Sequence, residues 1–146
     1  MPEESSYTYG GVVVDADGRV LLRRPKGDFD GYVWTFPKGR PDPWDTTPEE
    51  TALREVKEET GYSAKIRQKL PGSFRGGTGV TEFFLMSPVG SPSQFDTEET
   101  SAIRWVSLNE AGKLIRLTTN EIGQERDLFV LEAVRAALKS RRKTKH

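Results

Sequence analysis

The apolar residues of this chain fall first in short β-branched runs and later also at helical spacing. Thr8 to Val14 predicts a strand and Arg19 to Arg24 a second. Asp15-Ala16-Asp17-Gly18 between them reads as the turn of a hairpin. Tyr32 to Phe36 predicts a short aromatic strand. Five of the nine prolines lie from Pro25 to Pro48, so most of that stretch reads as ordered loop. Thr47-Pro48-Glu49-Glu50 is a helix start: Thr at the N-cap, Pro at the first helical position, Glu three after the cap. The helix is expected to run to about Thr60 and stop at Gly61. Ala64 to Phe74 and Thr78 to Ser87 predict two strands joined by Gly76-Gly77-Thr78-Gly79. A loop from Pro88 to about Thr97, a strand from Ile103 to Ser107 and a short helix from Leu108 to about Leu117 follow. Leu128, Leu131, Val134, Ala137 and Leu138 define an amphipathic helix from Gly123 to Ser140, and the basic tail from Arg141 to His146 is expected to be solvated. Strands, a helix, more strands and a terminal helix in that order imply an α+β fold with a mixed β-sheet between helices. The length of 146 residues suits one domain over residues 1–146, with an ordered core over residues 5–140.

Composition narrows the chemistry. Lys plus Arg and Asp plus Glu are 22 each, a balance that argues against binding nucleic acid by bulk electrostatics. There is no cysteine, which excludes disulfides, thiol catalysis and thiolate zinc sites. The single histidine, His146, is the last residue, so a His triad or His-ligated zinc is excluded too. No apolar run approaches membrane-spanning length, and the N-terminus lacks a signal-peptide pattern, so a cytoplasmic protein is the expectation.

The chemistry that remains is carboxylate, cation and hard metal, and it concentrates in one segment. On the first helix Glu55, Glu58 and Glu59 stand at i, i+3 and i+4, neighbours on one face. Ala52, Leu53 and Val56 form the adjacent apolar face, which places the carboxylates at the edge of the buried side. Arg54 is one turn from both Glu50 and Glu58 and is placed to brace the cluster. An acidic helix face is often only solvated, but clustered carboxylates at a buried edge repel unless a cation joins them. Mg²⁺ takes oxygen ligands and usually shares them with substrate phosphates.

The pattern extends upstream. Gly39, Arg54, Glu55, Val56, Glu58, Glu59, Gly61 and Tyr62 follow Gly-x5-Glu-x7-Arg-Glu-U-x-Glu-Glu-x-Gly-U, with U a bulky apolar residue, and the chain thereby resembles the Nudix hydrolases. The flanks are similar as well: a Gly-Gly-Val-Val-Val strand, a Leu-Leu-Arg-Arg strand and the lead-in Trp34-Thr35-Phe36-Pro37-Lys38. One position departs. The family's first Glu is Asp45 here, and eight residues instead of seven separate it from Arg54, so loop geometry and substrate fit are where this chain is expected to differ.

The resemblance implies the family's α/β/α sandwich and hydrolysis of a pyrophosphate linkage with Mg²⁺ or Mn²⁺. Carried over by position, Glu55, Glu58 and Glu59 are the expected metal ligands together with Gly39 through its carbonyl, and Arg54 orients the glutamates. Glu58, Arg54 and a base on a later loop are the expected catalytic set. Glu99 is the preferred base, with Glu98 and Glu82 as alternatives. Lys38, Arg23, Arg24 and Trp44 are candidate substrate contacts, the first three for phosphates and Trp44 for a base. Lys26 reads as a solvated cation; Tyr32, Trp34, Phe36, Phe83 and Phe84 are aromatic alternatives expected mostly in the core. The Phe36-Pro37-Lys38-Gly39 lead-in is similar to members that act on dinucleoside and diphosphoinositol polyphosphates. A nucleotide or polyphosphate is thus the expected partner, with no membrane and with nucleic acid disfavoured by the charge balance. (Deoxy)nucleoside triphosphates, ADP-ribose and the triphosphate end of RNA are the alternative substrates, and a non-catalytic nucleotide-binding module is the alternative of another class.

Overall fold

The computed structural model describes residues 7–77 and 79–143; expectations for Thr78, for the first residues of the expected core and for residues 144–146 lie outside it. The elements are β1 (Tyr7–Val13), β2 (Val20–Pro25), β3 (Lys38–Gly39), α1 (Pro48–Thr60), β4 (Ser63–Lys69), β5 (Phe74–Arg75), β6 (Val80–Val89), β7 (Thr100–Val106), α2 (Leu108–Ile115) and α3 (Glu121–Lys143). The larger sheet runs β3-β1-β6-β4, with β5 also on β6. β1 and β6 are parallel, while β3, β4 and β5 pair antiparallel, so the sheet is mixed as expected.

Period-two alternation explains the layers, since successive strand residues face opposite sides. Val12, Phe83 and Leu85 face a core built with Ala111, Ile115, Val130, Leu131 and Val134 of α2 and α3. Val13, Phe84 and Met86 face Ala52 and Val56 of α1. Both faces are covered, which is why these strands read as continuous apolar runs.

Three strand expectations are corrected. The turn after β1 forms, with Asp15 Oδ1 accepting from the backbone N–H of Asp17 and Arg19, both at 2.9 Å. The hairpin does not continue beyond the Val14–Val20 bridge. A strand has two edges, and β1 already gives them to β3 and β6; β2 leaves to pair antiparallel with β7 from Val20–Val106 onward. Tyr32 to Phe36 is not a strand: only Thr35 bridges to Arg23, and the Val33 N–H goes to Thr118 Oγ1 at 3.1 Å. The strand expected from Ala64 to Phe74 ends at Lys69, because Pro71 carries no ladder donor and Gly72 turns left-handed at φ 75°. The tail expectation also changes. α3 continues through Arg141 and Arg142, and Arg141 Nη1 donates to Gln68 Oε1 at 3.1 Å.

α1 follows its sequence signals. Thr47 Oγ1 accepts the Glu50 N–H at 3.1 Å, and Gly61 caps the other end at φ 81°. Any Cβ at Gly61 would overlap the Ser93 carbonyl oxygen. Thr47→Ala is expected to lower stability by about 1 kcal/mol, with Thr47→Asn restoring most of it; denaturant midpoints of the two variants check this.

Candidate active site

The site begins where α1 meets the sheet edge. Glu55 and Glu59, one turn apart beside the docked Ala52 and Val56, are 8% and 3% exposed. Glu58 turns outward. Burial drives both inner carboxyls above the usual range, Glu59 well above it. Arg23 opposes the rise at Glu59; the hydrogen bond between the two carboxyls and Arg54 oppose it at Glu55. β3 lays Gly39 directly against this pair, and the space a Cβ would need at Gly39 is filled by the Glu55 carboxylate. That explains the glycine at the start of the pattern: the backbone approaches the carboxylates only if no side chain intervenes.

Arg54 organises the outer side. Its Nη2 meets Asp45 Oδ2 at 2.8 Å and the Arg40 carbonyl at 3.0 Å; its Nη1 meets Glu55 Oε2 at 3.0 Å and Glu58 Oε1 at 3.2 Å. Asp45 also accepts the Asp42 N–H at 2.8 Å and the Thr51 hydroxyl at 2.9 Å. The Arg54 guanidinium chiefly holds the Asp45 carboxyl down at about 2. The shorter side chain and the extra loop residue therefore compensate. The loop folds back through a turn in which the Asp45 N–H donates to the Asp42 carbonyl at 2.9 Å, and this delivers the carboxylate to Arg54.

The second wall comes from β2 and the loop before β7. Alternation turns Arg23 inward: its Nε donates to Thr100 Oγ1 at 2.9 Å, its Nη2 to the Glu99 carbonyl at 2.6 Å, and Nε lies 3.4 Å from Glu59 Oε1. The loop docks on the end of α1, with the Ser93 N–H on the Gly61 carbonyl at 2.8 Å and the Asp96 N–H on the Glu58 carbonyl at 2.7 Å. These bonds satisfy carbonyls the helix leaves open and carry Glu98 and Glu99 to the cleft. Burial raises the Glu99 carboxyl, with Glu55 and Asp96 adding to the rise and Arg23 opposing it.

A cleft of about 490 Å³ opens between these walls, lined among others by Arg23, Lys38, Glu59, Glu98, Glu99 and Arg126. Of the expected contacts, Arg23, Lys38, Glu59 and Glu99 are brought together there. Glu58 and Arg54 instead line an adjoining groove with Asp96. Arg24 points away into a two-pronged pair with Asp28 at 2.8 and 2.9 Å, and is not among the residues lining the cleft. Trp44 is 71% exposed and also outside it. Glu82 sits across from Tyr9 and 4.0 Å from Lys69, again away from the cleft. Trp34, Phe36, Phe83 and Phe84 are core residues as expected. Lys26, read as solvated, lines the cleft.

Two contributions escape a sequence reading. Phe29, in the Gly/Asp loop, is 76% exposed at the cleft wall. Arg126 and Asp127 form an ion pair at 3.1 Å that is almost wholly buried, and Asp127 Oδ2 accepts the Thr35 hydroxyl at 2.6 Å. The signal was available: these residues stand one turn before the buried Val130 and Leu131, where the α3 stripe calls for apolar side chains.

Among the described residues no three acids form a closed cage for an ion. The donor set nevertheless suits Mg²⁺ or Mn²⁺, which settle for one or two carboxylates and complete their shell with water and substrate phosphate. Two buried carboxyl groups, which repel once both are ionised, lie against an unshielded glycine backbone and supply that partial shell.

The NUDIX domain model matches residues 6–127. The chain belongs to the Nudix hydrolase family, enzymes that act on pyrophosphate bonds. It is 35% identical over 105 residues to the "Putative 8-oxo-dGTP diphosphatase" of Bacillus subtilis (strain 168), covering 69% of this chain and 67% of that protein. It is 28% identical over 149 residues to the RNA pyrophosphohydrolase of Gluconacetobacter diazotrophicus, covering 82% and 84% of the two. The crystal structure of a C. elegans Ap4A hydrolase binary complex superposes with TM-score 0.69 over 91% of this chain and 98% of that one, at 22% identity, which speaks for the fold. No helix among the described residues is long and apolar enough to cross a membrane.

Proposed function

We propose that this enzyme hydrolyses a pyrophosphate bond in nucleoside-diphosphate-linked compounds, with dinucleoside polyphosphates as the preferred substrates. The observation that carries the reading is the buried Glu55–Glu59 pair set against Gly39, beside a cleft that also holds Arg23, Lys38 and Glu99. Glu55, Glu59 and the Gly39 carbonyl would hold a divalent cation, and Glu58, on the outward side of the same helix, would reach it only by leaving Arg54. A divalent cation held by these residues would supply charge neutralisation for the reacting phosphates. Glu99 takes a proton from the attacking water as its oxygen bonds to phosphorus and the bridging P–O bond breaks. The raised carboxyl suits a general base, which works best near the operating pH. Arg23 positions Glu99 through its backbone carbonyl and faces Glu59 at the same time. Lys38 approaches the phosphates; its backbone N–H already fixes Glu59 Oε1 at 3.2 Å.

Glu99→Gln is expected to lower kcat by about a hundredfold or more while Mg²⁺ still raises the melting temperature. An unchanged kcat would remove Glu99 from the role. The substrate reading is tested by presenting diadenosine polyphosphates, nucleoside triphosphates including 8-oxo-dGTP, ADP-ribose and triphosphorylated RNA, with products identified. The 35%-identical relative favours oxidised nucleoside triphosphates as the second reading. A kcat/KM highest for those would replace the first. Binding without turnover of any of them would point to a nucleotide-binding module.

A further inference from the structure

The cleft holds a buried arginine, Arg126, that the hydrolytic site does not use. Arg126 lines the cleft and its side chain is 3% exposed, yet its Nη2 is buried with no hydrogen-bond partner among the described residues. Its other commitments are fixed. Nε holds Asp127, the guanidinium lies 5.3 Å from the centre of the Tyr32 ring, and Gly76 packs so closely that a Cβ there would sit 2.8 Å from Nη1. A buried guanidinium nitrogen without an acceptor is costly, so its retention calls for a ligand. Lys38 lines the same cleft, and no described residue forms an ion pair with its ammonium or accepts a hydrogen bond from it. Arg126 and Lys38 repel one another, with Asp127 and Glu59 as partial counter-charges, and an oxyanion satisfies the free donors of both.

We propose that Arg126 and Lys38 form a second phosphate subsite, which takes a phosphate farther along the chain than the one at the carboxylates. The proposal rests on the pyrophosphohydrolase reading and deepens it: the cleft is built for a polyphosphate chain rather than a bare diphosphate. Gly76, Gly77 and Gly79 line the same cleft, and at Gly76 the absence of a side chain lets the backbone pack against the guanidinium.

Isothermal titration with inorganic tripolyphosphate in EDTA tests the subsite without the metal-dependent reaction. Arg126→Gln alone would strand the buried Asp127, so the variant used is Arg126→Gln/Asp127→Asn, which removes both charges. This variant and Lys38→Met are each expected to weaken tripolyphosphate binding by about tenfold or more and to leave adenosine binding unchanged. Unchanged tripolyphosphate affinity in the folded double variant overturns the proposal. So does weakening confined to adenosine, or a wild-type protein that does not bind tripolyphosphate. Should the double variant fail to fold, Arg126→Lys keeps the charge and loses the fork; unchanged affinity there overturns the proposal equally. Arg126-dependent binding in a protein that hydrolyses none of the nucleotides would sink the proposed function and leave the subsite standing.

Discussion

Glu59→Gln is expected to reduce turnover by at least about a hundredfold and, without divalent cation, to leave the protein as stable as wild type or more so. The first part follows from the metal contribution to phosphoryl transfer, worth several kcal/mol of charge stabilisation. The second follows from burial. At 3% exposure the Glu59 carboxylate is costly, and its pKa is raised well above the usual range, chiefly by loss of solvent. The sign is then determined. The folded chain binds that proton more tightly than the unfolded chain, so cation-free stability falls as pH rises above about 4.3 and goes on falling until the folded-state value is passed. Gln removes that slope. Mg²⁺ is expected to reverse it in the wild type by binding the ionised form, a hundredfold excess over Kd adding about 2.7 kcal/mol. Melting curves across pH, with Mg²⁺ and with EDTA, separate these effects. A variant that keeps its Mg²⁺-induced shift and its kcat contradicts the assignment.

Arg54→Ala is expected to damage both fold and activity, and Arg54→Lys to rescue little of either. The guanidinium holds Asp45, Glu55, Glu58 and the Arg40 carbonyl at 2.8 to 3.2 Å. An ammonium cannot reproduce that fork. Removal leaves Asp45, 6% exposed at its side chain, without its main partner. The loss is about 2 kcal/mol after allowing for solvent screening at the partly exposed guanidinium. It is also pH-dependent in the opposite sense to Glu59. With Asp45 held at about 2, its contribution is present above the unfolded value near 3.9 and is lost as pH falls towards 2. The wild type is therefore expected to lose this increment between those values, and Arg54→Ala to show a smaller loss, since the Asp42 N–H and Thr51 hydroxyl still bond the Asp45 carboxylate. Denaturant midpoints at several pH values measure it.

The parts of the site that lie within one element were legible from spacing. α1 carries its own cap, stop, apolar face and carboxylates, so Thr47, Gly61, Val56 and Glu59 all sit where local rules place them. What depended on edges was not. Nothing in Thr8 to Arg24 says that β1 would give both edges to β3 and β6 and release β2 to β7. Arg23 and Arg24 were separable only as one inward and one outward, and Asp28, four residues on, claims the outward one. Trp44 read as a stacking residue because it lies beside the signature; the turn joining Asp42 to Asp45 leaves it at the surface. Arg126 was hidden by its own helix, where one charged pair in an apolar stripe is easily taken for a break in the pattern.

The most direct measurement is the initial rate of diadenosine polyphosphate hydrolysis as Mg²⁺ is titrated into EDTA-treated enzyme, with Glu59→Gln alongside. A rate that is absent in EDTA, saturates with Mg²⁺ and collapses in the variant is the predicted result. Turnover that persists in EDTA, or survives loss of the Glu59 charge, would contradict a carboxylate-held cation as the centre of this enzyme.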